Sequence, residues 1–114
     1  MRTHNLFRLL IVSFSFLIPV SASAAYNSNI RGVLQGVYVY SDGDYIYFRF
    51  EQQPTSHPGC NPYYFVIHGS VPENRRNAML SRLLTAYAMK ENVNIGYDAQ
   101  GDCSNGYIRV HRVG

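Results

Sequence analysis

Val37-Tyr38-Val39-Tyr40-Ser41-Asp42-Gly43-Asp44-Tyr45-Ile46-Tyr47-Phe48-Arg49-Phe50 sets two runs of strand-forming residues on either side of an Asp-Gly turn signal. Taking Asp42-Gly43 as a two-residue hairpin loop fixes the pairing: Val39 faces Ile46 and Val37 faces Phe48 on one side of the ribbon. On the other side Tyr40 faces Tyr45 and Tyr38 faces Tyr47, with Gly36 opposite Arg49. The Val, Ile and Phe side is expected to be core. The other side then presents tyrosines and ends in Arg49.

Working outward, the first strand extends back to Ile30, with Gly32 and Gly36 as points where it can coil sharply, and Tyr26-Asn27-Ser28-Asn29 is expected to be a mobile lead-in. After the hairpin, Pro54, Pro58, Gly59 and Pro62 interrupt regular structure, so residues 52–62 read as a surface loop that delivers Cys60. Tyr63 to His68 reads as a third strand. Ser70-Val71-Pro72-Glu73 has the spacing of a capping box, with Ser70 as N-cap and Glu73 reaching back, and predicts a helix to about Met89. At 100° per residue Met79, Leu80, Leu83, Leu84 and Tyr87 fall on one arc, the expected buried stripe, and Ala78, Ser81, Thr85 and Ala88 fall on the far arc. That far arc is small and uncharged, as suits a close contact between subunits. Val93, Ile95 and Tyr97 alternate in a fourth strand, residues 98–106 form a turn-rich loop, and Tyr107 to Val113 alternate in a fifth.

Three strands, one helix and two strands is the element order of the OB-fold. The expected class is therefore mainly β (α+β), a small five-stranded OB-like Greek-key barrel with one helix between strands 3 and 4. An open antiparallel sheet with the helix on one face is the competing arrangement.

The chain opens with Arg2 and Arg8, runs through an apolar stretch from Leu9 to Ile18, and reaches Ala22-Ser23-Ala24, a small-x-small pattern. This is the profile of a signal peptide, too short to anchor in a bilayer, with cleavage expected after Ala24 or one residue later. Residues 25–114 then form a single exported domain, periplasmic or secreted, with no membrane span. Losing Arg2 and Arg8 takes Lys plus Arg from 10 to 8 against 7 Asp plus Glu, so the exported part is nearly neutral. Overall basicity therefore argues for no nucleic-acid partner. Arg109, His111 and Arg112 read as charges guarding an exposed strand. Cys60 and Cys103 are the only cysteines, and in an exported protein they are expected to pair.

The mature pattern resembles the small secreted OB-fold proteins of Gram-negative bacteria that include the receptor-binding B subunits of subtilase-type and pertussis-like toxins. The resemblance rests on the signal peptide, the hairpin, Cys60 before strand three, the segment Met79-Leu80-Ser81-Arg82-Leu83-Leu84-Thr85-Ala86-Tyr87-Ala88, the strand Val93-Asn94-Ile95-Gly96-Tyr97, and the late Cys103. The chain differs from those subunits in lacking tryptophan and a second cysteine pair. The resemblance implies a homo-oligomer, a pentameric ring with helices around the axis, and a glycan on a face of each barrel.

The residues support binding better than catalysis. Tyr38, Tyr40, Tyr45 and Tyr47 offer flat rings with polar tips for a sugar, and Arg49 offers a guanidinium for a carboxylate such as that of a sialic acid. Ala78, Ser81, Thr85 and Ala88 are the candidate subunit interface. The alternative is a monomeric periplasmic envelope protein whose tyrosine face binds a protein partner. An enzyme would need at least two of His57, His68 and His111 close together, and no acid/base or nucleophile pattern joins them. No catalytic residue, metal ligand or cofactor is assigned: His57-x-x-Cys60 lacks the second pair of ligands that structural zinc requires.

Overall fold

The computed structural model describes residues 26–114 of the chain, so the expected signal peptide and its expected cleavage after Ala24 lie outside the described residues. The elements are β1 (Ser28–Val39), β2 (Ile46–Phe50), β3 (Asn61–Ile67), α1 (Glu73–Met89), β4 (Asn92–Tyr97), β5 (Cys103–Ser104) and β6 (Tyr107–Val113).

The long first strand is shared between two partners. Its first half, Ser28 to Val33, pairs antiparallel with β4, and its second half, Leu34 to Val39, pairs antiparallel with β2. The changeover sits at a register irregularity between Leu34 and Gly36. Gly32, in the β4-paired half just before it, is favoured by packing: a Cβ at this position would lie 2.9 Å from the Phe50 ring. β2 continues antiparallel to β3, β3 runs parallel to β6, and β6 returns antiparallel to β4. The circuit β1-β2-β3-β6-β4 is closed, with α1 between β3 and β4. This is the expected OB-like barrel, and the open-sheet alternative is set aside.

The hairpin register is the one read from the sequence, Val39 with Ile46, Val37 with Phe48, Tyr38 with Tyr47 and Gly36 with Arg49. The tight turn is not. No residue from Tyr40 to Tyr45 has a positive φ, so Asp42-Gly43 does not form the two-residue turn with left-handed dihedrals. The ladder stops at Val39 and Ile46, and Val39 projects past the barrel into solvent instead of joining the core. The left-handed pair occurs instead at Asn105 (φ 50°) and Gly106 (φ 84°), which join the short β5 to β6. That hairpin lies inside the stretch expected to be an irregular loop.

Inward positions of the strands fill the barrel: Phe48 and Phe65 stack at 5.7 Å, Phe50 meets Phe65 edge-on at 5.6 Å, and Ile67, Val93, Ile95, Ile108 and Val110 complete the core. Cys60 and Cys103 form the expected disulfide, with Cα atoms 5.6 Å apart. It joins the 52–60 loop to the start of β5. The two loops touch directly at Gly59, where a Cβ would fall 2.6 Å from the Gly101 Cα and 2.9 Å from the Gln100 carbonyl oxygen.

α1 closes the barrel with a face rotated from the expected one. Leu83 and Ala86 are fully buried, with Met79 and Leu80 at the margin, whereas Leu84 and Tyr87 are exposed. The small Ala86 side chain lets the helix backbone approach the barrel closely, which turns Leu84 and Tyr87 outward. The capping box does not form either. Ser70 Oγ is held by His68 Nδ1 at 2.7 Å, the helix starts at Glu73, and Pro72 occupies the cap position with extended ψ (140°). Arg76 stabilises this entry by donating to the carbonyls of Gly69 and Val71. At the far end Lys90 is left-handed, with Lys90 N–H donating to Tyr87 and Glu91 N–H to Ala86, the hydrogen-bond pair of a Schellman stop.

The lead-in is ordered from Asn27. Its amide pairs with the Tyr97 carbonyl, its side chain donates to Asp98 and accepts from the Ala99 amide, and this corrects the expectation of a mobile segment.

Candidate functional site

Because side chains alternate along each strand, the residues outside the barrel come from the other parity: Tyr38 on β1, Tyr47 and Arg49 on β2, Tyr64 and Val66 on β3, Tyr107 and Arg109 on β6. Tyr40 and Tyr45 extend this face past the ends of β1 and β2. The parallel β3–β6 pairing places Tyr64 beside Tyr107, ring centroids 5.2 Å apart. Four strands therefore converge on one aromatic cluster.

Tyr47 is its floor. Only 8% exposed, it lies 5.2 Å from the rings of both Tyr40 and Tyr64, 6.0 Å from Tyr107 and 6.3 Å from Tyr45. Its hydroxyl accepts a hydrogen bond from Asn105 Nδ2 at 2.7 Å. Tyr38 packs edge-on against Tyr64 at 5.7 Å, and Tyr63 does so at 4.7 Å from the end of β3. The hydroxyls of Tyr40 and Tyr64 share a hydrogen bond at 3.0 Å. That hydrogen bond, with burial and the neighbouring phenols adding to it, pushes the Tyr64 pKa well above the ordinary tyrosine value, so the ring stays neutral. Edge-to-face contacts of this kind contribute about 0.5–1.5 kcal/mol each beyond burial, so the cluster is a preorganised surface.

The two ends of this face differ in charge. At one end Arg49 lies 4.0 Å over the Tyr63 ring and donates from Nε to the Tyr63 carbonyl, which fixes the guanidinium in place. At the other, the β1–β2 loop and the β5–β6 turn enclose a cleft of about 210 Å³ lined by Tyr40, Asp42, Gly43, Tyr45, Tyr47 and Asn105.

The structure brings Tyr38, Tyr40, Tyr45, Tyr47 and Arg49 together on one face, but it reassigns Tyr47 from an exposed ring to a buried support. It adds Tyr63, Tyr64, Tyr107 and Asn105, which sequence reading did not assign to the face. Tyr64 carries a visible signal, since it alternates with Phe65 and Ile67 just as Tyr47 alternates with Phe48 and Ile46. Tyr107 required knowledge that β3 and β6 are neighbours.

Ala78, Ser81, Thr85 and Ala88 are all exposed on α1. Ser81, Thr85 and Ala88, with Asn77, Leu80 and Leu84, line a shallow depression of about 440 Å³. The helix face is thus wider and more apolar than the small-residue arc alone, since Leu84 joins it.

The three histidines among the described residues are held in three different structural roles. His57 Nδ1 accepts the amides of Gly59 and Cys60, which leaves the proton on Nε2 to donate to the Asp98 carbonyl at 2.8 Å. This clamps the disulfide loop. His68 holds Ser70 and packs on Tyr45 at 5.3 Å, and His111 pairs with Asp102, which also lies 4.0 Å from Arg109. Among the described residues no group of three or more His, Cys, Asp or Glu side chains is placed to hold a metal ion. No helix among them is long and apolar enough to cross a membrane.

What the residues build is a barrel domain with a preorganised aromatic surface consistent with a binding module. No protein-family model matches the chain, and no curated protein or solved structure does so either.

Proposed function

We propose that this protein is an exported binding module that takes a glycan on its tyrosine face. The observation that carries the reading is the convergence of Tyr38, Tyr40, Tyr63 and Tyr64 around a buried Tyr47, with Arg49 fixed at one end. Rings held by one another keep their orientation without a ligand, so little side-chain entropy is lost when a sugar docks on them. The Arg49 guanidinium keeps its terminal nitrogens clear of any carboxylate within 4.0 Å among the described residues, which suits an acidic sugar. The strand 2–3 face is also where OB-folds in general bind oligosaccharides and oligonucleotides. Export is supported by the amino-terminal signal profile and by the disulfide, which an oxidising compartment maintains.

The proposal extends to assembly. A toxin-subunit-like ring would bring the exposed α1 face, Ala78, Ser81, Thr85 and Ala88 with Leu84, towards a common axis. Light scattering of the mature protein over a range of concentrations tests this: a pentamer supports the ring, and a concentration-independent monomer removes it.

A glycan array probed with wild type and with Tyr63→Ala tests the ligand. Binding to a defined sugar set that the variant loses supports the reading. A blank array, with the protein folded, favours the alternative of an envelope protein whose tyrosine face is covered by a protein partner. One observation stands behind that alternative: Tyr38, Tyr40 and Tyr63 are exposed together on one face, and tyrosine is enriched at protein interfaces.

A further inference from the structure

From the cleft at the hairpin end of the tyrosine face we infer a subsite for an alkylammonium cation. The inference rests on the reading of this face as a binding surface and adds the chemistry of what it binds.

Three rings line the cleft at different inclinations. Tyr40 meets Tyr47 at 80° and Tyr45 meets it at 47°, with Tyr47 between them as the floor. The Tyr40, Tyr45 and Tyr47 rings line this space beside the Asp42 carboxylate, and an ammonium or quaternary ammonium group is the ligand that gains from aromatic rings and a carboxylate set together. At the rim stands the Asp42 carboxylate, which has no basic partner within 4.0 Å among the described residues, and no Lys or Arg lines the cleft. Asp44, two residues on, has Arg76 at 4.0 Å and is itself largely exposed. Residues 25–114 carry 8 Lys plus Arg against 7 Asp plus Glu, a nearly even balance, whereas this cleft carries a carboxylate and no base. Asn105 closes the wall, its amide nitrogen given to Tyr47, so that its side chain is oriented before any ligand arrives. The carboxylate and the rings together select for positive charge: the first supplies attraction at the mouth, the second replaces water inside.

The shared chemistry is an ammonium group, whether on an amino sugar, a choline substituent or a lysine side chain. The test is amide chemical-shift titration of the folded domain with tetramethylammonium, glucosamine, glucose and Nα-acetyl-lysine amide at matched ionic strength. Tetramethylammonium and glucosamine are expected to shift the amides of Asp42, Gly43 and Asn105 where glucose does not. Asp42→Asn and Tyr45→Leu are each expected to weaken tetramethylammonium by about 10-fold, while Tyr45→Phe, which keeps the ring, retains it. The Asp42 side chain is exposed and makes no hydrogen bond among the described residues, so its variant is expected to fold whatever the outcome at Tyr45. Equal binding of glucose and glucosamine without tetramethylammonium would overturn the cation subsite and leave the glycan reading standing. Tetramethylammonium and the lysine amide binding without glucosamine would uphold the subsite for an ammonium that is not on a sugar and leave the glycan reading to the array. Silence of the cleft amides to every cation overturns the subsite.

Discussion

Two turns meet at the cleft, and they carry nearly the same dipeptide. Asp42-Gly43 joins β1 to β2 and Asn105-Gly106 joins β5 to β6, but only the second adopts the left-handed pair of dihedrals that such dipeptides favour. The difference lies in what flanks them. Cys103 and Ser104 pair with Ile108 and Tyr107 right up to the second turn, and the disulfide and the Asp98 loop hold the β5 side in place. At the first turn the ladder ends early, and Tyr40 and Tyr45 pack instead on Tyr64, Tyr47 and His68. A turn dipeptide expresses its preference only when the strands continue to it. Where aromatic side chains find better partners off the ladder, the loop opens, and here that opening forms one wall of the cleft.

The largest test of this contrast removes the anchor of the tight turn. Replacing Cys60 and Cys103 together by alanine opens a covalent link between residues 43 apart in sequence, which in the loop-entropy account costs about 4 kcal/mol. Urea unfolding of the double variant against wild type reads it directly. An equal midpoint for the two proteins would mean that hydrogen bonds alone hold β5 and the 52–60 loop together.

The second test swaps the glycines. Gly106→Ala places a Cβ at φ 84° and is expected to cost about 1 kcal/mol or more, whereas Gly43→Ala has no dihedral penalty and meets only the edge of the Tyr45 ring at 3.2 Å. Thermal melts should therefore show a clear loss for the first and a small change for the second. Equal losses would mean that the open loop depends on glycine after all.

The same contrast explains what could be read in advance. The β1–β2 register followed from period-2 alternation and the turn position, and both survive the loop opening because register is set by which faces are buried. The helix between the third and fourth strands was legible from its period, but its rotation was not. Leu84 and Tyr87 outrank Ala86 in hydrophobicity, while close approach to the barrel end selects the smaller side chain. Ser70 was a fair N-cap by spacing, yet His68 Nδ1 captured its hydroxyl, a contact between neighbours that no periodic pattern contains. Half of the tyrosine face was visible in one hairpin. The other half, Tyr64 and Tyr107, arrives through a parallel pairing of strands far apart in sequence, and the cleft needs Asn105 from the hairpin that was missed.

The smallest effect concerns the loop that leads into the tight turn. Burial pulls the Asp98 carboxyl upward, but amide hydrogen bonds from Gln100, Gly101 and Asp102 and the Asn27 side chain outweigh it and hold its pKa below the ordinary carboxylate value. A folded pKa below the unfolded one means that the stabilisation is complete above the unfolded value of about 4 and is lost as pH falls through the folded value. Urea midpoints measured from neutral pH down into the acid range should fall more steeply for wild type than for Asp98→Asn, which starts lower and has no charge to lose. Cys103 and Asn105 follow this loop in sequence, so the amide shifts of Asn105 should move with the same titration in wild type and stay put in Asp98→Asn. If Asn105 follows the same curve in wild type and in Asp98→Asn, the Asp98 loop does not order the β5–β6 turn, and that order comes from the disulfide, the β5–β6 ladder and the Asn105–Tyr47 hydrogen bond.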